Sequence, residues 1–218
     1  MKAMLLAAGR GERMGPLTAE LPKPLLTVGE RTLIERHVAR LAAGGIVDVV
    51  VNLSYRGAQI RAALGDGGRF GARIAYSEEG EPPLETAGGI IHALRLLGPG
   101  PFLLVNADVL TDFDPATLSA APESTLVLVP NPPHNARGDF GLDADGYVSQ
   151  QGPLLTYGGI AKLDPELFAG LLPGRRPLKP VLDAAIERRR LKGLRYDGRW
   201  LDVGTPERLA AARALRWD

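Results

Sequence analysis

Behind a short apolar run at residues 3–8, the glycines Gly9, Gly11 and Gly15 alternate with the cations Arg10, Arg13 and Lys23. Glycines at that spacing let backbone N–H groups come close to an anion, and guanidinium and ammonium groups add charged donors. Glu12 and Glu20 return two negative charges, so the stretch is locally cationic without being a basic tail. Phosphate binding is the chemistry these residue types can do. Further on, Asn106-Ala107-Asp108 follows the apolar run 102–105, and Asp202 sits in Trp200-Leu201-Asp202-Val203-Gly204-Thr205-Pro206-Glu207. A carboxylate at a strand end either ligates a divalent cation beside a phosphorylated substrate or caps a turn, and its position alone leaves both open.

These groups need a scaffold, and the hydrophobic pattern supplies one. Apolar runs of strand length occur at 3–8, 47–53, 73–77, 102–105 and 125–130, and helical periodicity lies between them. Thr32 with Glu35 predicts a capping box for a helix running to Gly44-Gly45, and residues 57–64 predict a second helix ending at Gly65. Thr86 is expected to cap a helix carrying Ile90, Ile91, Leu94 and Leu97; the small residues Ala87, Gly88 and Gly89 at its start fit either close packing or a ligand contact. Asp114-Pro115 predicts the cap and first residue of a short helix. Residues 131–162 are short extended pieces broken by glycines, with Asp145-Gly146 as a hairpin-type turn, and form a β-rich insertion. Beyond it the pattern predicts helices at 164–171 and 180–190. A hairpin of 194–196 and 199–203 around Asp197-Gly198 follows, then a last helix with Thr205 and Pro206 at its N-cap and N1 positions. The whole is an α/β architecture, one domain over residues 1–218.

Composition excludes several classes. With 218 residues, 45% apolar and 23% charged, the chain can bury one substantial core. A net charge of +1 argues against nucleic acid as the main partner. There is no cysteine, so disulfides and thiolate metal sites are excluded, and no apolar run approaches the length of a membrane span. A cytoplasmic address is expected. His37, His92 and His134 lack metal-ligand spacing, and no Gly-x-Ser-x-Gly elbow is present.

The loop does not read as a dinucleotide fingerprint, because Pro16, Pro22 and Pro24 forbid a regular helix after Gly11, nor as a P-loop, which needs Gly-Lys-Ser or Gly-Lys-Thr. Its wording, Leu-Ala-Ala-Gly-x-Gly-x-Arg-Met-x-Pro-Leu-Thr-x-x-x-Pro-Lys-Pro-Leu, resembles the sugar-phosphate nucleotidyltransferases. Leu84-Glu85-Thr86-Ala87-Gly88-Gly89, Asn106-Ala107-Asp108 and the segment around Asp202 extend the resemblance along nearly the whole chain. Within the family, Glu-Gly-Glu-Pro, Leu-Glu-Thr and Arg137-Gly138-Asp139-Phe140 are most similar to the uridylyltransferases acting on N-acetylmuramate 1-phosphate in peptidoglycan recycling.

The resemblance implies a Rossmann-like nucleotidyltransferase fold, a mixed, mostly parallel sheet flanked by helices with a small β-rich insertion. It implies attack of a sugar 1-phosphate on the α-phosphorus of a nucleoside triphosphate. Arg13, Lys23 and Asp108 are the implied catalytic residues, and Asp108 with Asp202 the implied Mg²⁺ ligands. Ala8, Gly9, Arg10, Gly11, Glu81, Thr86 and Gly88 are implied on the nucleotide side. Asn106, Asn131, Asp139, Tyr157 and Lys179 are implied on the sugar side, with Lys162 competing for the role of Lys179. The expected partners are small-molecule substrates, with no nucleic acid and no membrane, in a monomer or homodimer. Other substrate pairs, such as mannose 1-phosphate with GTP or phosphocholine with CTP, and a catalytically silent nucleotide-sugar sensor are the competing readings.

Overall fold

The computed structural model describes residues 1–217. From β1 (Lys2–Leu6) the chain passes through two 3-10 turns, Glu12–Thr18 and Lys23–Leu25, to a small ribbon, β2 (Thr27–Val28) and β3 (Arg31–Thr32), and then α1 (Leu33–Ala43). The alternation continues with β4 (Asp48–Leu53), α2 (Gly57–Leu64), β5 (Arg73–Glu78), α3 (Glu85–Leu97) and β6 (Phe102–Asn106). Next come β7 (Val109–Thr111), α4 (Ala116–Ser119), β8 (Thr125–Val129), the short β9 (Gly141–Leu142) and β10 (Val148–Ser149), and β11 (Thr156–Leu163). The chain closes with α5 (Lys179–Glu187), β12 (Lys192–Arg195), β13 (Trp200–Asp202) and α6 (Pro206–Ala214).

Seven strands form one sheet in the order β12-β8-β11-β6-β1-β4-β5. β6, β1, β4 and β5 are mutually parallel, and β11 runs antiparallel between β6 and β8. The sheet is covered on both faces, which is why its inner strands are apolar without alternation. Ala3, Leu5, Val49 and Val51 face the core under α1 and α2, while Met4, Val50 and Leu104 face the core under α3 and α5. The register sets Leu6 level with both Asn52 and Asn106, so the parallel strands end in one row. In an open α/β sheet that carboxyl edge is where ligands bind.

The capping box at Thr32 forms as expected: Thr32 Oγ1 accepts from the Glu35 N–H at 3.3 Å, and Glu35 Oε2 accepts from the Thr32 N–H at 3.0 Å. Thr205 and Pro206 likewise start α6. Asp114 and Pro115 sit one position earlier than expected: the helix begins at Ala116 with Pro115 as its N-cap, and Asp114, just before it, accepts from the Ala116 N–H through Oδ1 at 2.9 Å.

Four expectations are corrected. β1 stops at Leu6 instead of residue 8, because the Ala7 N–H leaves the ladder and donates to Asn52 Oδ1 at 2.7 Å. Thr86 does not cap α3, which begins at Glu85; the free Ala87 and Gly88 N–H groups donate instead to the Arg176 carbonyl at 3.0 and 3.1 Å. The helix expected over 164–171 is only the 3-10 turn Pro165–Phe168, ended before Gly170, which has φ 75°. The hairpin around Asp197-Gly198 does not form: β12 joins the main sheet parallel to β8, whereas β13 pairs antiparallel with β7. Asp112 divides the two, accepting from the Tyr196 hydroxyl and from the Arg199 N–H at 2.8 Å. Within 131–162, β9 and β10 form a separate ribbon and β11 belongs to the main sheet.

Candidate active site

A cleft of about 780 Å³ opens at the carboxyl edge of β1, β4 and β6. Ala8, Gly9, Arg10, Gly11, Arg13, Lys23, Thr86, Asn106 and Asp108 line it. Its floor is tied by a buried relay. Asn52, 3% exposed, donates from Nδ2 to Glu79 Oε1 at 2.6 Å while its Oδ1 holds the Ala7 N–H, and Glu79 Oε2 accepts from the Leu84 N–H at 2.9 Å. One side chain of β4 thus joins the glycine loop to the start of α3. A Cβ on Gly89 would lie 2.3 Å from Glu79 Oε1, so the second glycine of that pair makes room for the relay.

Gly11 turns the loop with φ 66°, and a Cβ there would lie 3.1 Å from Lys23 Cβ. The loop therefore packs on Lys23, which is held in its 3-10 turn between Pro22 and Pro24 and is 8% exposed. Lys23 Nζ pairs with Asp108 Oδ2. Three other charged pairs surround it: Arg10 with Glu81 at 3.0 Å, Arg175 with Glu85 at 2.8 Å, and Arg208 with Asp202 at 2.8 Å. Arg13 is exposed in the cleft and has no carboxylate partner among the described residues. It is the group poised to receive an anion.

Asp108 and Asp202 lie on neighbouring rungs. Asp202 is level with Val109 in the β13–β7 ladder, and the Val203 N–H donates to the Asp108 carbonyl at 2.7 Å. No cluster of three or more His, Cys, Asp or Glu able to hold a metal occurs among the described residues. Two carboxylates of hard oxygen donors fit Mg²⁺ of the kind that completes its shell with substrate phosphates and water.

The remaining predicted residues lie outside the cleft lining. Glu81 holds Arg10, and Gly88 faces the 174–176 backbone, where a Cβ would lie 2.3 Å from the Gly174 carbonyl oxygen. Asn131 donates to the Leu154 carbonyl at 2.9 Å and accepts from the Thr156 hydroxyl at 2.9 Å. Asp139 accepts from the Tyr157 N–H at 2.8 Å. These side chains pin the 131–139 loop to β11. The Tyr157 hydroxyl is buried without a partner among the described residues, and burial raises its pKa. Lys179 is exposed and pairs with Asp183 at 2.8 Å. Lys162 is buried at the opposite end of the sheet, level with Leu103, and donates to the Ala121 carbonyl.

Sequence reasoning missed Asn52, Glu79, Glu85 and Arg175, all of which line the cleft. Asn52 had a signal, a lone amide inside an apolar strand. Glu85 has φ 61°, unusual for a residue with a side chain. Arg175 arrives on the connection before α5 and has no local signature.

The chain matches the family described as nucleotidyl transferase over residues 2–145. It is 50% identical to the N-acetylmuramate alpha-1-phosphate uridylyltransferase of Neisseria meningitidis serogroup B, across 99% of this chain and 98% of that protein. It is 34% identical to the protein of the same name from Caulobacter vibrioides, across 97% and 95% of the two chains. Among solved structures, a candidate glucose-1-phosphate thymidylyltransferase from Bacillus anthracis superimposes with a TM-score of 0.88 at 21% identity, covering 100% of this chain and 96% of that one. The cleft therefore sits on a shared fold, and the sequence match extends from end to end: the chain belongs to the nucleotidyl transferase family.

Proposed function

We propose that this protein transfers the uridylyl group of UTP to N-acetylmuramate 1-phosphate, forming UDP-N-acetylmuramate and pyrophosphate, as a single-domain cytoplasmic enzyme of peptidoglycan recycling. The observation that carries the substrate pair is the 50% identity with the Neisseria protein over 99% of this chain. The cleft supports the chemistry. A phosphate oxygen of the sugar 1-phosphate attacks the α-phosphorus, and the bond from that phosphorus to the bridging oxygen breaks, so the electron pair leaves with pyrophosphate. The nucleophile is already an anion, so positioning and charge neutralisation carry the rate and no general base is required.

In this reading Arg13 grips the β- and γ-phosphates, with Arg10 and the backbone of residues 9–11 beside it. Lys23 serves the α-phosphate. Ala8, Glu81, Thr86 and Gly88 form the nucleoside side, and Asn106 with the loop anchored by Asn131, Asp139 and Tyr157 forms the sugar side, Lys179 meeting the sugar phosphate. Asp108 and Asp202 would hold Mg²⁺, which when bound neutralises charge on the reacting phosphates.

The test is pyrophosphate release with Mg²⁺, crossing UTP, GTP, CTP, dTTP and ATP against the 1-phosphates of N-acetylmuramate, N-acetylglucosamine, glucose and mannose, with phosphocholine as a further acceptor. Release confined to UTP with N-acetylmuramate 1-phosphate is expected. Another productive pair would overturn the substrate and keep the reaction. Silence from a folded, nucleotide-binding protein would point to a sensor.

A further inference from the structure

We infer that Arg208 is a positioning residue for Asp202, and that Gly204 is glycine because the arginine must pass over it. The inference rests on the reading of Asp202 as a metal carboxylate in the proposed reaction. Asp202 ends β13, a three-residue strand whose only ladder among the described residues is the one with β7. A backbone ladder of that length places the Cα and leaves the carboxylate free to rotate. Arg208 removes that freedom: its Nη1 lies 2.8 Å from both Asp202 oxygens. The pair is largely enclosed, with side-chain exposures of 15% and 20%, so solvent screens it little.

The segment between the two residues is shaped for this contact. Thr205 caps α6 by accepting from the Arg208 N–H at 3.4 Å, which fixes where the arginine leaves the helix. An ideal Cβ on Gly204 would lie 2.1 Å from Arg208 Nη2 and 2.9 Å from Cζ. Gly204 has no left-handed φ, so its backbone does not demand glycine; what a side chain there would disturb is the placement of the guanidinium. The electrostatics agree. Asp108 and Asp202 lie on adjacent rungs of the β7–β13 pairing, and each carboxylate has its own cation, Lys23 for the first and Arg208 for the second. The remaining contact of Asp202, His134 Nε2 at 3.0 Å from Oδ1, comes from a side chain that is 40% exposed and is open to exchange. α6 keeps its place without Arg208, since Leu209 and Ala212 bury into the core with Met14, Leu26 and Val203.

The experiment compares Arg208→Gln, Arg208→Lys, Gly204→Ala and Asp202→Asn, each checked for folding by circular dichroism and thermal unfolding. Mn²⁺ binding is measured by electron paramagnetic resonance on the protein with a non-hydrolysable UTP analogue, and turnover as a function of metal concentration. Arg208→Gln is expected to weaken Mn²⁺ binding by roughly 10- to 100-fold, with excess metal recovering turnover, as for other residues that orient a metal ligand. Gly204→Ala, which retains both side chains but puts a methyl 2.1 Å from Arg208 Nη2 and 3.1 Å from Asp202 Oδ2 and so breaks their alignment, should reproduce that shift, and Arg208→Lys should restore part of the affinity. Folded Arg208→Gln and Gly204→Ala proteins with unchanged Mn²⁺ affinity would overturn the inference, as would unfolding of both, which would make Arg208 a structural staple. Asp202→Asn separates the levels: unchanged binding and turnover there would remove the metal reading itself, whereas loss there beside normal Arg208 variants would sink this inference alone.

Discussion

His37 lies in α1 beneath the strand that follows Asp108, and its environment makes it an acid-sensitive weak point. It is 8% exposed, and its Nε2 has no hydrogen-bond partner among the described residues. Burial, reinforced by the positive charge of Arg40, pushes its pKa down to about 4, against the raising effects of a hydrogen bond with the Val109 backbone and the negative charge of Asp108. The folded protein therefore keeps His37 neutral in a range where the unfolded chain, with an ordinary pKa near 6.5, takes up a proton. The stability this confers is present above about pH 6.5 and is lost as pH falls toward 4. The full loss is about 3 kcal/mol, of which about 2 kcal/mol falls between pH 7.5 and pH 5. Carboxylates titrate in the lower part of the same window, so the measurement is a difference. Urea unfolding of the wild type and of His37→Leu, at several pH values from 7.5 to 5, should show the stability difference shifting by about 2 kcal/mol in favour of the variant as pH falls, with the leucine variant the flatter. Parallel curves would refute the reasoning, whatever the offset from the lost Val109 bond.

Four further outcomes are expected. Arg13→Ala should lower kcat/KM for UTP by about 100-fold, the scale of one lost transition-state donor, with an unchanged melting temperature because the side chain is exposed and holds nothing in the fold; a full-rate variant would remove its role. Asp108→Asn should abolish most turnover while the protein remains folded, and near-normal rates with Mg²⁺ would withdraw the metal assignment. Glu85→Gly relieves a left-handed φ of 61° at a cost of one exposed ion pair with Arg175, so a gain of up to about 1 kcal/mol and a melting temperature higher by about 2 °C should follow; a lower midpoint would mean the pair outweighs the strain. Lys162→Met should cost about 1 kcal/mol through the lost bond to the Ala121 carbonyl and leave KM for the sugar 1-phosphate alone, whereas a raised KM would return Lys162 to the site.

Local patterns were legible wherever one residue's chemistry decides the outcome. The Thr32–Glu35 box, the Thr205-Pro206 start and the buried valines of β4 act within a few residues, and each is where the pattern puts it. Failures came where a distant partner competed. Thr86 lost the capping of α3 to the Arg176 carbonyl, about ninety positions away, and Asp197-Gly198 turned the chain without pairing its flanks because β8 and β7 offered better ladders. The cleft was legible on the glycine-loop side, whose phosphate chemistry is written in contiguous residues. Arg175 and the Asn52–Glu79 relay needed the fold, since nothing in their neighbourhoods announces a shared edge.

The charges of the cleft explain how a chain of net charge +1 can receive a triphosphate. Lys23, Arg10, Arg175 and Arg208 each rest on a carboxylate, so the positive field is held in pairs and Arg13 alone is uncommitted among the described cleft cations. Exchanging a carboxylate for a phosphate costs little at Arg10–Glu81 and Arg175–Glu85, whose side chains are 35–66% exposed and already screened. It costs more at Lys23–Asp108, with exposures of 10% and 31%. The pairs therefore differ in readiness. Exposed arginines can turn to an arriving anion while Lys23 stays fixed against Asp108, registered at the carboxyl edge of the sheet on which the proposed reaction places the α-phosphate.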